Sequence, residues 1–237
     1  MIKPVITVIF IIFLIYCLRN FVLFPYVSKS LNQANTIENG NILIRNSIED
    51  SITVFFPGNA TSVYNMIPYL KPNTNYLLIN YRSLQSDGYY YGYSRCDLAI
   101  RNGVVGYAFA CNNFKEVKVV TFSIGNGVFA ETLKLTEVNP HSLTSISGLP
   151  NLSELKKNYF GYYSYLITWI FDEFETCDIF AKYLNCPHKI VHGTLDRIIP
   201  VKLIEEMYTI LKTNNKNVTL ELKEKYSHND ISLIEYL

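Results

Sequence analysis

Three side chains in this sequence have the types and placement for nucleophilic chemistry. Ser123 follows "VKVVTF", Asp196 follows "HKIVHG" and His228 follows "VTLELKE". A serine hydroxyl is a weak nucleophile until a base removes its proton. A histidine can be that base, and a carboxylate fixes the histidine's tautomer and stabilises its charged form. The oxyanion that follows attack needs backbone N–H donors already in place.

Stepping from these residues to the elements before them gives the fold. Each follows a short run rich in β-branched and apolar residues, the composition of a strand. Further strands are expected in "NILIRNS" (41–47) and "SITVFFPG" (51–58), taken as neighbours, and in "NYLLINYRS" (75–83). Helical spacing marks "ATSVYNMIPYLK" (60–71), "CDLAIRNGVVGYAFAC" (96–111), the segment starting near Gly125, and "VKLIEEMYTILK" (201–212). Strands alternating with helices predict an α/β fold with a mainly parallel central sheet and helices on both faces. Ligands of such sheets sit at the carboxyl ends of the strands, where the three reactive residues fall.

With these motifs in order, the chain resembles the α/β-hydrolases, and most the membrane-anchored alpha/beta hydrolase domain-containing proteins. The resemblance runs from about residue 41 to 231 through "VFFPGNATS", "INYRS", "TFSIGNG", "VHGTLDRIIP" and "SHND". It implies that Ser123 is the nucleophile, Asp196 the acid and His228 the base. It also implies oxyanion donors in the backbone N–H of Ile124 and of Asn59 or Ala60. The implied activity is hydrolysis of an ester, thioester or lipid acyl bond through an acyl-enzyme, and peptidases share the same fold and triad. Two departures favour an alternative, a catalytically inactive binding module. Pro57 stands where the family usually has histidine. Thr121 stands where G-x-S-x-G has its first glycine, and its β-branched side chain is expected to crowd the turn.

Other candidates carry less. His192 is read as structural, His141 as near the pocket mouth without a defined role, and Asp230 as a rival partner for His228. The aromatic stretch from Leu135 to Cys177, with Trp169, occupies the place of a cap or acyl pocket. It suits either an apolar channel, a bilayer surface or a core-facing helix. The 237 residues have a formal net charge of +1 and no basic stripe, so nothing points to nucleic acid. No metal-binding or nucleotide-binding motif occurs, and no cofactor is expected. Five scattered cysteines suggest neither a disulfide framework nor a zinc site. The unbroken apolar run "PVITVIFIIFLIYCL" (4–18) is read as part of an uncleaved single-pass membrane anchor over residues 1–24, with the hydrolase domain over 25–237. A secreted protein with a removed leader is the alternative, and a buried first helix is the bland one.

Overall fold

A computed structural model of the chain describes residues 41–58, 63–81, 96–164, 174–214 and 216–237. The expected N-terminal anchor and the residues from 165 to 173, with Trp169, lie outside them. Among the described residues no helix is long and apolar enough to cross a membrane.

Seven strands form one sheet: β1 (Ile42–Ile44), β2 (Ser51–Phe56), β3 (Tyr76–Leu78), β4 (Glu116–Phe122), β5 (Ser142–Ile146), β6 (His188–Gly193) and β7 (Val218–Lys223). Their order is β1-β3-β2-β4-β5-β6-β7. β1 runs antiparallel to β3, and the remaining pairs are parallel. The α-helices are α1 (Cys96–Asn113), α2 (Gly125–Thr136), α3 (Leu152–Phe160), α4 (Thr176–Tyr183) and α5 (Val201–Thr213).

The mainly parallel sheet agrees with the sequence reading, and three details correct it. β1 and β2 are not neighbours, because β3 inserts between them. The segment expected to be wholly cap or pocket contains β5, a strand in the middle of the sheet. The helix expected over residues 60–71 is a 3₁₀ helix over Val63–Tyr69 with Pro68 inside it. Proline has no N–H to extend an α-helical ladder, and short 3₁₀ turns tolerate it better.

The two faces are covered differently. Side chains alternate along a strand, so Ile52, Val54, Phe56, Val117, Val119, Leu143 and Ile190 share one face. They pack with buried residues of all five α-helices. Phe55, Val120, Phe122, Ile146 and Val191 point the other way, against the 3₁₀ helix at Val63–Tyr69 and the C-terminal Ile231–Leu237. Among the described residues, α-helices therefore cover one face and shorter turns the other. The alternation in β7 shows why: Thr219, Glu221 and Lys223 present polar side chains on that second face.

Buried asparagines tie the sheet edge down. Asn75 accepts from the Asn46 and Ser47 N–H groups and donates to the Glu49 and Ser51 carbonyls. Asn41 accepts from the Asn80 N–H and donates to the Asn102 carbonyl. Backbone groups that loops would leave unpaired are satisfied this way.

Candidate active site

Ser123 follows the last residue of β4 and precedes α2 by one residue. Its φ is +53°, a left-handed conformation that costs a non-glycine residue about 1–2 kcal/mol. The surrounding backbone holds it there. The Ser123 N–H donates to the Ile146 carbonyl at 3.1 Å, and its own carbonyl accepts from the Asn126 and Leu149 N–H groups. Gly125 explains the tightness of the turn. A Cβ there would lie 2.2 Å from the Phe56 carbonyl oxygen, so only glycine lets α2 start against the end of β2.

Thr121 does not crowd this turn, contrary to the sequence expectation. Its side chain is fully buried on the helix face, and its hydroxyl donates to Asn126 Oδ1 at 2.9 Å. Asn126 Oδ1 also accepts from Ser145 Oγ at 2.7 Å, and Asn126 Nδ2 donates to the Leu149 carbonyl. Ser145 Oγ lies 2.9 Å from His188 Nε2. With the Ser145 hydrogen committed to Asn126, His188 donates from Nε2. A buried polar network thus occupies the place that a glycine leaves empty.

The other two reactive residues arrive from β6 and β7, beyond β5 in the sheet. His228 lies in the loop after β7, with Nε2 3.0 Å from Ser123 Oγ and Nδ1 2.7 Å from Asp196 Oδ2. Asp196 lies in the loop after β6, where its Oδ1 accepts from the Ile198 and Ile199 N–H groups, both at 2.8 Å. Burial alone would raise the Asp196 carboxyl. The hydrogen bonds from His228 and Ile199 and the nearby histidines outweigh it and hold the carboxyl below its ordinary value. The two loops meet at Gly193, where a Cβ would lie 2.3 Å from the Tyr226 carbonyl oxygen. The His228 ring packs on Phe122, centroids 5.4 Å apart.

The Ile124 N–H stands next to Ser123 at the start of α2 and meets no backbone carbonyl among the described residues. A helix N-terminus favours negative charge, so this donor faces the right way electrically for an oxyanion. Asn59 and Ala60 lie outside the described residues. The chain leading to them is adjacent: a Cβ on Gly58 would be 3.3 Å from Ser123 Cβ. Pro57 withholds an N–H but keeps its carbonyl, which accepts from the buried Tyr81 hydroxyl at 2.9 Å.

The structure brings Ser123, Ile124, Asp196 and His228 together and leaves other candidates apart. Asp230 accepts from the Ser227 N–H instead of holding His228. His141 is not at a pocket mouth; it precedes β5 at the amino ends of the strands, opposite the end that carries Ser123, and lies 3.8 Å from Glu116. Ser147 was missed by sequence reasoning. It is fully buried with φ +43°, and its hydroxyl donates to the His228 carbonyl at 3.1 Å. Its signal was a serine directly after an apolar isoleucine, hidden because β5 itself went unrecognised. Among the described residues no cluster of His, Cys, Asp and Glu is placed to hold a metal ion.

No protein-family model and no curated protein matches this chain. Solved structures do. The Pyrococcus furiosus esterase Pf2001 matches with a TM-score of 0.60 at 19% identity, over 86% of this chain and 84% of that one. Est1E from Butyrivibrio proteoclasticus matches with 0.57 at 14%, over 83% and 88%. The esterase PE8 matches with 0.55 at 14%, over 85% and 95%. At these identities the likeness carries the fold, and with the sheet order above it defines an α/β-hydrolase fold.

Proposed function

We propose that this protein is a serine hydrolase acting on carboxylic acyl bonds, with esters or thioesters as its substrate class. Ser123 Oγ attacks the carbonyl carbon while His228 Nε2 takes the hydroxyl proton. Asp196 keeps Nδ1–H as the tautomer and balances the imidazolium. His228 then returns the proton to the leaving oxygen or sulfur, and water repeats the sequence to release the acid. The Ile124 N–H holds the oxyanion, with the second donor assigned from the sequence to the N–H of Asn59 or Ala60. The observation that carries this reading is the unbroken chain from Ser123 Oγ through His228 to Asp196, at 3.0 and 2.7 Å, on a serine held at φ +53°. The esterases among the matched structures support the choice of acyl bond.

A non-catalytic module has less in its favour, because Thr121 is hydrogen-bonded into the turn and does not distort it. A membrane anchor in residues 1–24 is part of the proposal and would bring the site to acylated substrates at a bilayer.

The test is fluorophosphonate labelling of the full chain beside Ser123→Ala, followed by p-nitrophenyl esters of increasing chain length. Labelling and ester cleavage lost together in the variant support the triad. A folded wild-type protein that takes no label and cleaves no ester rules it out.

A further inference from the structure

We propose that His192 is a positioning residue of this site, acting through Asp196; the proposal rests on the triad reading above. His192 lies on β6, four residues before Asp196, and its side chain is fully buried. Its Nε2 is 2.9 Å from the Ile199 carbonyl oxygen. A carbonyl can only accept, so Nε2 carries the hydrogen and Nδ1 is the bare nitrogen. Nδ1 is buried and has no hydrogen-bond partner among the described residues.

The bond to Ile199 closes a loop around the acid. The Ile199 N–H donates to Asp196 Oδ1 while the Ile199 carbonyl accepts from His192. At the near end, the Asp196 N–H donates to the Gly193 carbonyl at 3.2 Å. His192 therefore braces the far end of the turn against β6, and the donors that aim the carboxylate move with that brace. Outer partners of this kind decide orientation even when they touch no reacting atom.

The charge state of His192 matters as much as its reach. Its Nε2 lies 3.5 Å from Asp196 Oδ2, the oxygen that receives His228 Nδ1–H. A protonated His192 would compete for that oxygen and repel the imidazolium that forms on His228. The groups whose charge acts on it are Asp196 and His228; Asp230, the other carboxylate of the His228 loop, is turned to the Ser227 N–H. Burial keeps His192 neutral against the pull of the Ile199 carbonyl and Asp196. A second proton would also place a donor at Nδ1 where no acceptor exists. Asp196 is in this way reserved for one histidine.

The experiment compares full-length wild type with His192→Gln, His192→Asn and His192→Ala. The Gln amide nitrogen reaches the Ile199 carbonyl, whereas Asn is polar but too short. Two readouts are taken: kcat and KM for an ester across pH, and the downfield proton NMR resonance of His228 Nδ1–H. Asn and Ala should lower kcat about tenfold to a hundredfold with little change in KM, while Gln stays near wild type. The Nδ1–H resonance should broaden or move upfield in Asn and Ala and persist in Gln. Equal behaviour of Gln and Asn, both folded, would overturn the proposal, as would an unaltered Nδ1–H resonance in Asn. Should the triad reading itself fail, wild type takes no fluorophosphonate, yet the resonance still reports whether His192 fixes the Asp196–His228 pair.

Discussion

Asp196 and Asp230 show how little separates a working residue from a bystander. Both are carboxylates near His228 in sequence or space, and spacing alone left them as rivals. Asp196 wins because its Oδ1 is anchored by two backbone N–H groups, which frees Oδ2 to receive His228 Nδ1–H at 2.7 Å. Asp230 spends its near oxygen on the Ser227 N–H and stays exposed. An Asn at 196 would offer an amide hydrogen where the site needs an acceptor, and would favour the wrong imidazole tautomer. Asp196→Asn should therefore lower kcat by about 10³–10⁴-fold, on the scale seen for such replacements. Asp230→Asn loses an exposed turn contact and should keep kcat within about threefold, since exposed interactions of this kind contribute little. Steady-state ester kinetics on the two variants decides the matter, and a larger loss in Asp230→Asn would reverse the assignment.

At the scale of elements, the turn between β4 and α2 replaces a glycine with a network. Thr121, Asn126, Ser145 and His188 link β4, α2, β5 and β6 through buried hydrogen bonds. A glycine at position 121 removes one such bond, worth about 1 kcal/mol, and weakens a central strand by about 0.5–1 kcal/mol. Thr121→Gly should then destabilise the protein by about 1–2 kcal/mol in urea unfolding without raising kcat. A clear rise in kcat would mean that the threonine does strain the nucleophile after all. This network also marks the limit of what the sequence made legible. Ser123, Asp196 and His228 stood out because each ends a recognisable apolar run, and six of the seven strands were readable for the same reason. β5 was not, because "SLTSI" offers only Leu143 and Ile146 as apolar residues. Its Ser145 is buried through hydrogen bonds that no local pattern announces. Asn41, Asn75 and Asn126 satisfy buried backbone groups across more than 20 residues of chain. Partners that distant leave no periodic trace.

For the whole molecule, the two-faced sheet predicts where acid will act. The turn-covered face displays Lys189–Glu221 and Lys223–Glu221 pairs, each at 2.6 Å and partly exposed. Pairs of this kind are screened by water and salt and contribute little. The helix-covered face buries His188 and His192 from β6. Burial pushes the His188 ring down to about 3 and lowers His192 as well. The unfolded chain takes up these protons below about pH 6.5, whereas the folded His188 stays neutral until about pH 3 and His192 is lowered in the same direction. Folding stability therefore falls as the pH falls through this window, by about 1.4 kcal/mol per pH unit for each histidine kept neutral. The depressed Asp196 carboxyl has the opposite reference: its stabilisation is present above about pH 3.8 and is lost only below that. Between pH 6.5 and about 4, the buried His188 should thus dominate the loss. His188→Gln removes the titrating group and leaves an amide beside Ser145. Urea unfolding of this variant should show a pH slope shallower by about 1.4 kcal/mol per unit across that range, with the salt dependence unchanged. An unaltered slope would place the acid sensitivity elsewhere, in carboxylates rather than in the histidines behind the nucleophile.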